Sequence, residues 1–405
     1  MMPVVGVDVS KSFSVAFSYL KRNEPFGGAL TFQHTNEGFT EFINLLKKTE
    51  IAANQKPSII LEPTGHYHLG IMDLLQKNNY KVVLINPLVS KYERYSTLRR
   101  VKTDIIDAQK LGEIFYKLEL QPVSYQTDEL FRIRFSTRTL SMLSKNISLL
   151  KTRASGILDI IFPYYKDVFY DTYCKYSIEC LKYFPSAKSV LNTNKEDILD
   201  ILCFIYNIKN RQAVTINNKL NQLLEAALKC PIEQDVYDSH IHSLLTLLEL
   251  LEQYQQQYSS LQNHISESIC HRKDYNILFS IPGIGDNLAA TILSEIGDIH
   301  KFDSAKKLIA FAGIEPSVYQ SGKFKSSQNK ISKRGSHYLR RALYIAVSAQ
   351  LRKSSRCDEI RDYYYKKKSE GKHHNVAMIA CSNKLLRMIY ALLTKQEYYH
   401  QQYNK

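Results

Sequence analysis

The chain has 405 residues, of which 44% are hydrophobic, and its 54 Lys and Arg side chains outnumber 39 Asp and Glu to give a formal net charge of +15. A single hydrophobic core stops growing at roughly 250–300 residues, so this length predicts two or three domains. We expect a soluble, cytoplasmic protein without membrane contact, because no run approaches roughly 18 apolar residues and the N-terminus lacks the basic segment of a secretory signal.

The positive charge is concentrated in the last third of the chain. Residues 276–405 carry 22 basic and 10 acidic side chains, which give a net charge of +12. The net charge is +3 over residues 1–120 and zero over residues 121–275. A cationic block attracts polyanions, of which nucleic acid is the commonest. The alternative is a basic face kept for solubility.

The seven cysteines are scattered without a CxxC pair, which is typical of reduced thiols.

The first 125 residues alternate strand-like and helical patterns. Strand patterns at 4–9, 14–20 and 28–34 precede a helix capped by Asn36, a buried strand at 57–62, a helix at 68–78 and a strand at 81–86. Three successive strands followed by alternating helices and strands are the order of an RNase H-like fold. We therefore predict an α/β domain over 1–125 in which the first and fourth strands are neighbours.

Four acidic residues of this domain are candidates for metal binding. Asp8 and Glu62 end the first and fourth strands, and Asp104 and Asp107 share one face of a helix. Four converging carboxylates would repel one another unless a divalent cation neutralised them, and hard oxygen ligands select Mg²⁺ or Mn²⁺. Two such ions support in-line phosphoryl transfer. Taken one at a time, these acids have simpler explanations than metal binding. Asp104 could be a favourable negative charge at a helix N-terminus, and Glu62 could be a solvated residue at the end of a strand.

Residues 126–275 are predicted to be almost entirely helical. Apolar residues recur with alternating steps of four and three at Leu247, Leu251, Tyr254, Tyr258, Leu261 and Ile265. This heptad seam predicts either a coiled-coil or helical-hairpin spacer that pairs with another protomer, or an ordinary amphipathic helix packed on its own domain.

Residues 276–405 are predicted to form a small α-rich domain with helices at 287–296, 336–352 and 373–394. Pro282, Gly283 and Gly285 form a tight hairpin before the first of these helices. Backbone amides at such a helix N-terminus can hold a phosphate, as in helix-hairpin-helix modules. The alternative interpretation is a simple turn.

The stretch between Glu315 and Asp358 contains no acidic residue. It carries ten cations, Lys323, Lys325, Lys330, Lys333, Arg334, Arg340, Arg341, Arg352, Lys353 and Arg356. If about six of them contacted phosphates, the affinity for duplex DNA would fall with log salt at a slope of roughly −5. The stretch therefore predicts DNA or RNA binding.

Ser321 lies inside this stretch. Neighbouring cations would favour attack of its hydroxyl on a phosphodiester, although most serines in polar loops have no such role.

Several motifs in the chain resemble those of one family. They are GVDVSK (6–11), LEPTGHY (61–67), KTDIIDA (102–108), SIPGIG (280–285) and AGIEP, SG, ISKRG and LRRALY within 312–344. Together, in this order, they resemble the DEDD-type insertion-sequence transposases. Members have a RuvC-like N-terminal domain, a helical middle and a C-terminal transposase domain. Piv-type DNA invertases are relatives, and some members are bridge-RNA-guided recombinases.

This resemblance implies roles for individual residues. Asp8, Glu62, Asp104 and Asp107 would bind Mg²⁺, and Ser321 would be the nucleophile that forms a phosphoserine link to DNA. The two groups would meet in a composite site built from different protomers of a dimer or tetramer. A noncoding RNA would pair with donor and target DNA. Nucleic-acid contacts are assigned to Gly283, Gly285, Lys323, Lys325, Lys330, Lys333, Arg334, Arg340 and Arg341, of which Lys333, Arg334 and Arg340 fall in the family's basic motif.

The predicted function is a Mg²⁺-dependent transposase that cuts and rejoins DNA in a bacterial or archaeal cell, associated with the nucleoid. Its parts are a catalytic domain (1–125), a helical dimerisation spacer (126–275) and a transposase domain (276–405). A site-specific DNA invertase of the same family and a RuvC-like junction nuclease that uses water as the nucleophile are alternatives. A nucleic-acid-binding protein whose acidic quartet is vestigial is a third.

Overall fold

The chain divides into two compact units, Met1–Thr127 and Asp128–Lys405, called here the N-terminal and C-terminal units. The structure is a computed structural model. It describes residues 2–63, 65–85, 89–90, 103–120, 128–208, 214–230, 238–316, 320–321, 324–325, 330–352 and 358–400.

The N-terminal unit contains a five-stranded mixed sheet. Its strands are β1 (Val4–Val9), β2 (Phe13–Lys21), β3 (Glu24–Gln33), β4 (Ser58–Leu61) and β5 (Val82–Leu84), and its helices are α1 (Asn36–Ala53), α2 (His68–Lys77) and α3 (Asp104–Lys117). The strand order is β3-β2-β1-β4-β5, with an antiparallel β1-β2-β3 meander and β4 and β5 parallel to β1. The predicted meander and the pairing of the first and fourth strands are confirmed. Classification as RNase H-like stays a prediction.

The sheet is covered on both faces, which explains why most residues of β1 and β4 are apolar. Val5 and Val7 of β1 lie in the core that contains the buried residues of α1 and α2. Val4 lies in the opposite core, with Ala108 and Leu111 of α3. Since alternate side chains of a strand point to opposite faces, the α3 face of β1 continues from Val4 to Gly6 and Asp8.

Glycine at position 6 allows α3 to lie directly on β1. A Cβ atom at Gly6 would be 2.1 Å from the Ala108 carbonyl oxygen and 2.9 Å from the Gly112 nitrogen. Two turns beyond Ala108, the Tyr116 hydroxyl donates to the Met2 carbonyl at 2.9 Å. Helix α3 therefore runs opposite to β1, and its first turn lies toward the C-terminal end of that strand.

Gly6→Ala is expected to destabilise the N-terminal unit by about 3 kcal/mol, because the added methyl group meets backbone atoms that cannot rotate away. The matched control is Gly28→Ala in β3, where nothing lies within 4 Å of an added Cβ atom. Urea unfolding followed by far-UV circular dichroism checks both variants. An unchanged midpoint for Gly6→Ala would contradict this close packing.

The C-terminal unit is helical except for one short hairpin, within the described residues. Its helices are α4 (Asp128–Ile161), α5 (Lys175–Tyr183), α6 (Ala187–Leu191), α7 (Lys195–Tyr206), α8 (Val214–Leu228), α9 (Asp238–Ile269), α10 (Lys273–Phe279), α11 (Asp286–Ile296), α12 (Ala305–Ala312), α13 (His337–Gln350), α14 (Asp358–Ser369) and α15 (His374–Lys395). The hairpin strands are β6 (Gln320–Ser321) and β7 (Phe324–Lys325), and 3-10 turns lie at Tyr165–Asp167 and Ile299–Lys301.

The two longest helices, α4 and α9, form an antiparallel hairpin. The start of α4 shares a core with the end of α9, through Leu130, Ile133, Leu140, Ile265 and Ile269. The end of α4 shares a second core with the start of α9, through Leu150, Leu158, Leu244, Leu248 and Leu251. The predicted heptad seam thus packs within its own chain, as in the helical-hairpin and amphipathic-helix interpretations. Pairing between protomers stays a prediction.

Helix α15 is long and apolar enough, by length and composition alone, to cross a membrane. One face of this helix is buried in the core of the C-terminal unit, through side chains that include Met378, Cys381, Leu385 and Ile389. This packing accounts for the composition of the helix.

Four predicted helix starts, those of α1, α11, α13 and α15, differ from the structure by one residue, and the caps of α1 and α13 show the cause. Helix α1 is capped by Thr35, whose hydroxyl accepts from the Gly38 nitrogen at 3.2 Å, and Asn36 is its first helical residue. Helix α13 begins at His337 because the Ser336 hydroxyl caps it by accepting from the Leu339 nitrogen at 3.3 Å. In both cases the hydroxyl satisfies a backbone N–H that has no partner inside the helix.

Candidate active site and nucleic-acid interface

Asp8 and Glu62 occupy neighbouring positions at one edge of the N-terminal sheet. Val7 pairs with Leu61 in the parallel ladder of β1 and β4, so the next residue on each strand is one of the two acids. Ile60 belongs to the core on the α3 face, and Glu62, two residues further, continues that face. Both carboxylates are half-buried. The structure thus places these two predicted site residues side by side.

The first turn of α3 carries the other two acids. Thr103 caps the helix, accepting a hydrogen bond from the Ile106 nitrogen at 3.3 Å. Asp104 is exposed, whereas Asp107 is 3% exposed. Because α3 runs opposite to β1, its first turn lies toward the edge where Asp8 emerges. All four acids therefore belong to one end of the sheet.

The described residues contain no group of three or more His, Cys, Asp or Glu side chains that could hold a metal ion. Glu62 instead accepts a hydrogen bond at 2.7 Å from the hydroxyl of the buried Ser90. The structure therefore gathers the acids at one edge without forming a set of ligands. Their donor chemistry, carboxylate oxygen, is the kind that fits Mg²⁺ or Mn²⁺.

The neighbouring histidines do not extend this acidic edge into a metal centre within the described residues. His66 stacks near Tyr67, with ring centroids 4.5 Å apart. The Nδ1 atom of His68 is buried without a hydrogen-bond partner. Burial, and secondarily the nearby His66, lower the pKa of His68, which keeps its ring neutral at neutral pH.

Ser321 lies at the end of a hairpin inserted between α12 and α13. In the pairing of β6 with β7, Ser321 is opposite Phe324. The base of the insertion is closed by a bridge between Pro316 and Ile331. The Lys333 nitrogen also donates to the Gly313 carbonyl at 3.0 Å. Backbone hydrogen bonds thus anchor the loop that carries Ser321.

Two glycines allow the two sides of this loop base to approach closely. A Cβ atom at Gly335 would be 1.7 Å from the Phe311 carbonyl oxygen. Gly313 has a φ of +68°, in the left-handed region that favours glycine, and its Cβ would be 2.7 Å from the Gly335 nitrogen. The AGIEP and ISKRG motifs are therefore in backbone contact.

The predicted phosphate-binding cations differ in their surroundings. Lys330, Lys333 and Arg334 are exposed at the loop base. The Arg340 guanidinium instead donates from Nη1 to the Gly335 carbonyl at 2.7 Å and to the Ala312 carbonyl at 3.1 Å. Arg340 therefore stabilises the loop base through these hydrogen bonds. Its burial lowers the pKa of the guanidinium. Lys325 lies in β7, and Arg341 and Arg352 are exposed. The other three cations, Lys323, Lys353 and Arg356, lie outside the described residues.

The predicted glycine hairpin connects α10 to α11. Gly283 has a φ of +84°, and a Cβ atom there would be 2.8 Å from the Gln350 Cγ. Gln350 also donates from Nε2 to the Pro282 carbonyl at 2.7 Å. Gly283 is therefore required for packing against α13. Gly285 caps α11 in open surroundings, but Asp286 in the first turn places a negative charge where a phosphate would bind.

A buried ion pair that the sequence analysis missed supports the loop base. Glu295 of α11 is 2% exposed. Arg138 of α4 donates to it from Nε at 2.7 Å and from Nη2 at 3.0 Å, and the hydroxyl of Ser336 donates to it at 2.8 Å. The hydrogen bond to Glu295 is the largest effect raising the pKa of Arg138. The position of Glu295 seven residues after Leu288, on the inward face of α11, is the sequence signal that could have revealed it.

Comparisons with known proteins match both ends of the chain. A family model described as a DEDD transposase of the IS110 type matches residues 5–163, and a model of the transposase IS116/IS110/IS902 family matches residues 275–365. Together they cover more than half of the chain. They include both the acidic edge and the Ser321 loop.

Curated relatives also match over part of their length. The transposase for insertion sequence element IS1111A from Coxiella burnetii is 38% identical over 120 residues, which are 30% of this chain and 33% of the relative. An insertion element IS900 42 kDa protein from Mycobacterium paratuberculosis is 32% identical over 137 residues, 34% of this chain and 33% of the relative. The pilin gene-inverting protein of Moraxella bovis is 33% identical over 118 residues, 29% of this chain and 36% of the relative.

Both matched models describe transposases of insertion sequences. The chain belongs to the IS116/IS110/IS902 transposase family, whose relatives include pilin gene-inverting proteins. The matched stretch spans about a third of the length of the curated relatives.

Proposed function

We propose that the protein is a transposase that cuts and rejoins DNA in the cytoplasm, with a metal-binding acidic edge and a serine nucleophile on separate units. The observation that supports this proposal is the match of two transposase family models, one over residues 5–163 and the other over residues 275–365. One matched region contains Asp8, Glu62, Asp104 and Asp107, and the other contains Ser321.

The acidic edge would hold Mg²⁺ or Mn²⁺ through the carboxylates of Asp8, Glu62, Asp104 and Asp107. A divalent ion bound there would supply charge stabilisation for the phosphodiester oxygens. The side chains themselves would fix the position of the scissile phosphate, and the covered sheet face beneath them would exclude bulk water. The adjacent placement of Asp8 and Glu62 favours this role.

Ser321 would attack the phosphorus atom of a DNA phosphodiester. A bond forms between its Oγ and phosphorus, the bond from phosphorus to one deoxyribose oxygen breaks, and that oxygen leaves with a proton. Rejoining reverses the step with a different DNA end. The exposed Lys330, Lys333 and Arg334 at the loop base would bind the flanking phosphates. Arg341, Lys323 and Lys325 complete the proposed interface, whereas the packing of Gly283 and the charge of Asp286 beside Gly285 count against phosphate contacts at the two predicted glycines.

Two further features rest on the family resemblance. A noncoding RNA of the element would pair with donor and target DNA, and a homo-oligomer, a dimer or tetramer, would combine the acidic edge of one protomer with the Ser321 loop of another. The acidic residues and Ser321 lie on separate units of the chain, which is compatible with such sharing.

Ser321→Ala is expected to abolish both the covalent protein–DNA adduct and recombination, because no other group in the loop would form the phosphoserine bond. The assay is recombination of supercoiled DNA with Mg²⁺ and the candidate RNA, followed by a denaturing gel. Ser326→Ala and Ser327→Ala, in the same acid-free stretch, are the matched controls and should keep the adduct. Cleavage by the parent chain without any adduct would rule out the serine mechanism and indicate water as the nucleophile.

A DNA invertase is the second candidate function, favoured by the similarity to pilin gene-inverting proteins. An invertase acts on one fixed pair of sites, whereas a transposase gene lies within the element that it moves. Sequencing the DNA that flanks the gene distinguishes them: element ends on both sides indicate a transposase, and an invertible segment beside the gene indicates an invertase.

A further inference from the structure

A groove of about 270 Å³ lies in the C-terminal unit where four helices meet. It is lined by residues of α4, α9, α11 and α13. The polar lining side chains are Thr137, Ser141, Ser144, Tyr258, Asn287, Thr291, Tyr338 and Arg341. Leu140, Leu288, Ala342 and Ile345 supply the apolar part. The groove therefore combines an apolar surface with hydroxyl, amide and guanidinium groups.

Among the residues that the structure describes, Arg341 alone lines the groove with a charged side chain. It is exposed, and its Nη1 donates to the Ser141 hydroxyl at 2.8 Å. Within the described part of the chain, Arg341 has no ion-pair partner. The groove can therefore bind an anionic group without displacing a carboxylate.

The surroundings of the groove are also cationic. Desolvation, followed by the charges of Lys145, Arg340 and Arg138, lowers the pKa of His337, which is next to Tyr338 in α13. The nearby acid, Glu295, is already bound by Arg138 and Ser336. An anion in this region would meet several positive charges and little repulsion.

Besides the positive charge, the groove presents aromatic rings and an amide, which can recognise a nucleobase. Tyr338 lines it with the Arg138 guanidinium 4.9 Å from its ring centroid. Two other lining residues are joined by a hydrogen bond, in which Asn287 donates from Nδ2 to the Tyr258 hydroxyl at 3.1 Å. Tyrosine rings stack on nucleobases, and an asparagine amide can pair with a base edge. The volume is below the roughly 300–1,000 Å³ of pockets for drug-sized ligands, so only a small ligand fits.

We propose that this groove binds one unpaired nucleotide of a nucleic-acid strand, with the phosphate on Arg341 and the base between Tyr338, Tyr258 and Asn287. The site rests on the proposed function, and it assigns nucleic-acid contacts to α9 and α11, outside the basic loops. Its position suits this role, since α13 begins directly after the segment that closes the Ser321 loop.

The test compares affinities of the full-length protein for duplexes with one bulged nucleotide and for fully paired duplexes, in DNA and RNA, without divalent metal. Asn287→Ala should weaken binding of the bulged duplex about tenfold and leave the paired duplex unchanged. Arg341→Ala should weaken the bulged duplex and reduce its salt slope by about one. Arg153→Ala, an exposed arginine on α4, is the control for loss of a charge. Comparing the affinities for bulged DNA and bulged RNA shows whether the bound nucleotide belongs to DNA or RNA.

A 2-aminopurine base at the bulge gives a second readout, because stacking on a tyrosine quenches its fluorescence. Quenching by the parent chain that is lost in Asn287→Ala and Tyr258→Ala supports the site. Equal effects of the groove substitutions on bulged and paired duplexes, or no effect on either, would overturn it while leaving nucleic-acid binding intact. Failure of the parent chain to bind any duplex would instead contradict the proposed function.

Discussion

Asp8→Asn is expected to lower recombination at least about 1,000-fold while leaving the fold intact. A metal-ion Lewis acid supplies several kcal/mol of transition-state stabilisation, and each 1.4 kcal/mol is a factor of ten in rate. Asp8 is better suited to this test than Asp107, because it is half-buried and Asp107 is only 3% exposed. A change at the buried position would affect packing as well as metal binding. The measurement is the rate of product formation with saturating Mg²⁺.

Thermal unfolding provides a readout of the same substitution that is independent of activity. A ligand that binds only the folded state stabilises it by about 2.7 kcal/mol when its concentration is about 100 times its Kd. Mg²⁺ should therefore raise the melting temperature of the parent chain more than that of Asp8→Asn. Without metal, Asp8→Asn should not melt below the parent chain, since removing one of several neighbouring carboxylates relieves repulsion in the folded state.

Glu113→Gln is the matched control, because it neutralises an exposed carboxylate on α3, two turns from Asp104. It should keep both activity and the response to Mg²⁺. Full activity of Asp8→Asn would show that the acidic edge is not the metal site. Loss of activity with an unchanged response to Mg²⁺ would mean that Asp8 acts in some other way than as a ligand.

Much of the N-terminal sheet was predictable because its strands are short, apolar and separated by clear breaks. The neighbouring positions of Asp8 and Glu62 followed from the order of the strands alone. The tight contact between Gly6 and α3 was not predictable, since one glycine in a strand does not specify which helix approaches it. A capping error at Asn36 has a similar origin, because Thr35 next to it has an equally suitable side chain.

The seam of α9 illustrates a different limit of sequence reasoning. A heptad pattern shows that one face of a helix is buried, but it does not identify the partner helix. In the structure Leu251 and Ile265 of α9 pack in cores shared with α4 of the same chain. The partner became clear only from the antiparallel arrangement of the two helices.

Charge runs also do not distinguish binding cations from structural ones. Arg340 and Arg341 are adjacent in an acid-free stretch, yet one donates to two backbone carbonyls and the other lines an open groove. Ser321 stood out only through the family resemblance, since its own surroundings in the sequence are those of many loop serines. The ion pair of Arg138 and Glu295 joins residues that are 157 positions apart.

Arg138→Ala is expected to destabilise the C-terminal unit by about 3–4 kcal/mol near neutral pH, more than Glu295→Gln. The reason is the asymmetry of burial: the Glu295 side chain is 2% exposed, whereas that of Arg138 is 43% exposed. Removing Arg138 leaves a charged carboxylate in a desolvated site, and breaking a buried pair in this way costs about 3–5 kcal/mol. Removing the charge of Glu295 leaves a guanidinium that water can still reach.

Urea unfolding at neutral pH measures both variants against the parent chain. A loss of stability in Arg138→Ala that is no larger than the loss in Glu295→Gln would contradict the buried-charge explanation.

A double variant separates the ion pair from its effect on the Ser321 loop. Replacing both partners, as Arg138→Met with Glu295→Met, removes the uncompensated charge and should restore most of the stability lost in Arg138→Ala. The Ser336 hydroxyl, however, loses its acceptor, and Ser336 caps α13 directly after the loop base. Formation of the protein–DNA adduct should therefore remain reduced in the double variant even where stability returns. Full recovery of the adduct would show that Glu295 contributes to stability without positioning the loop.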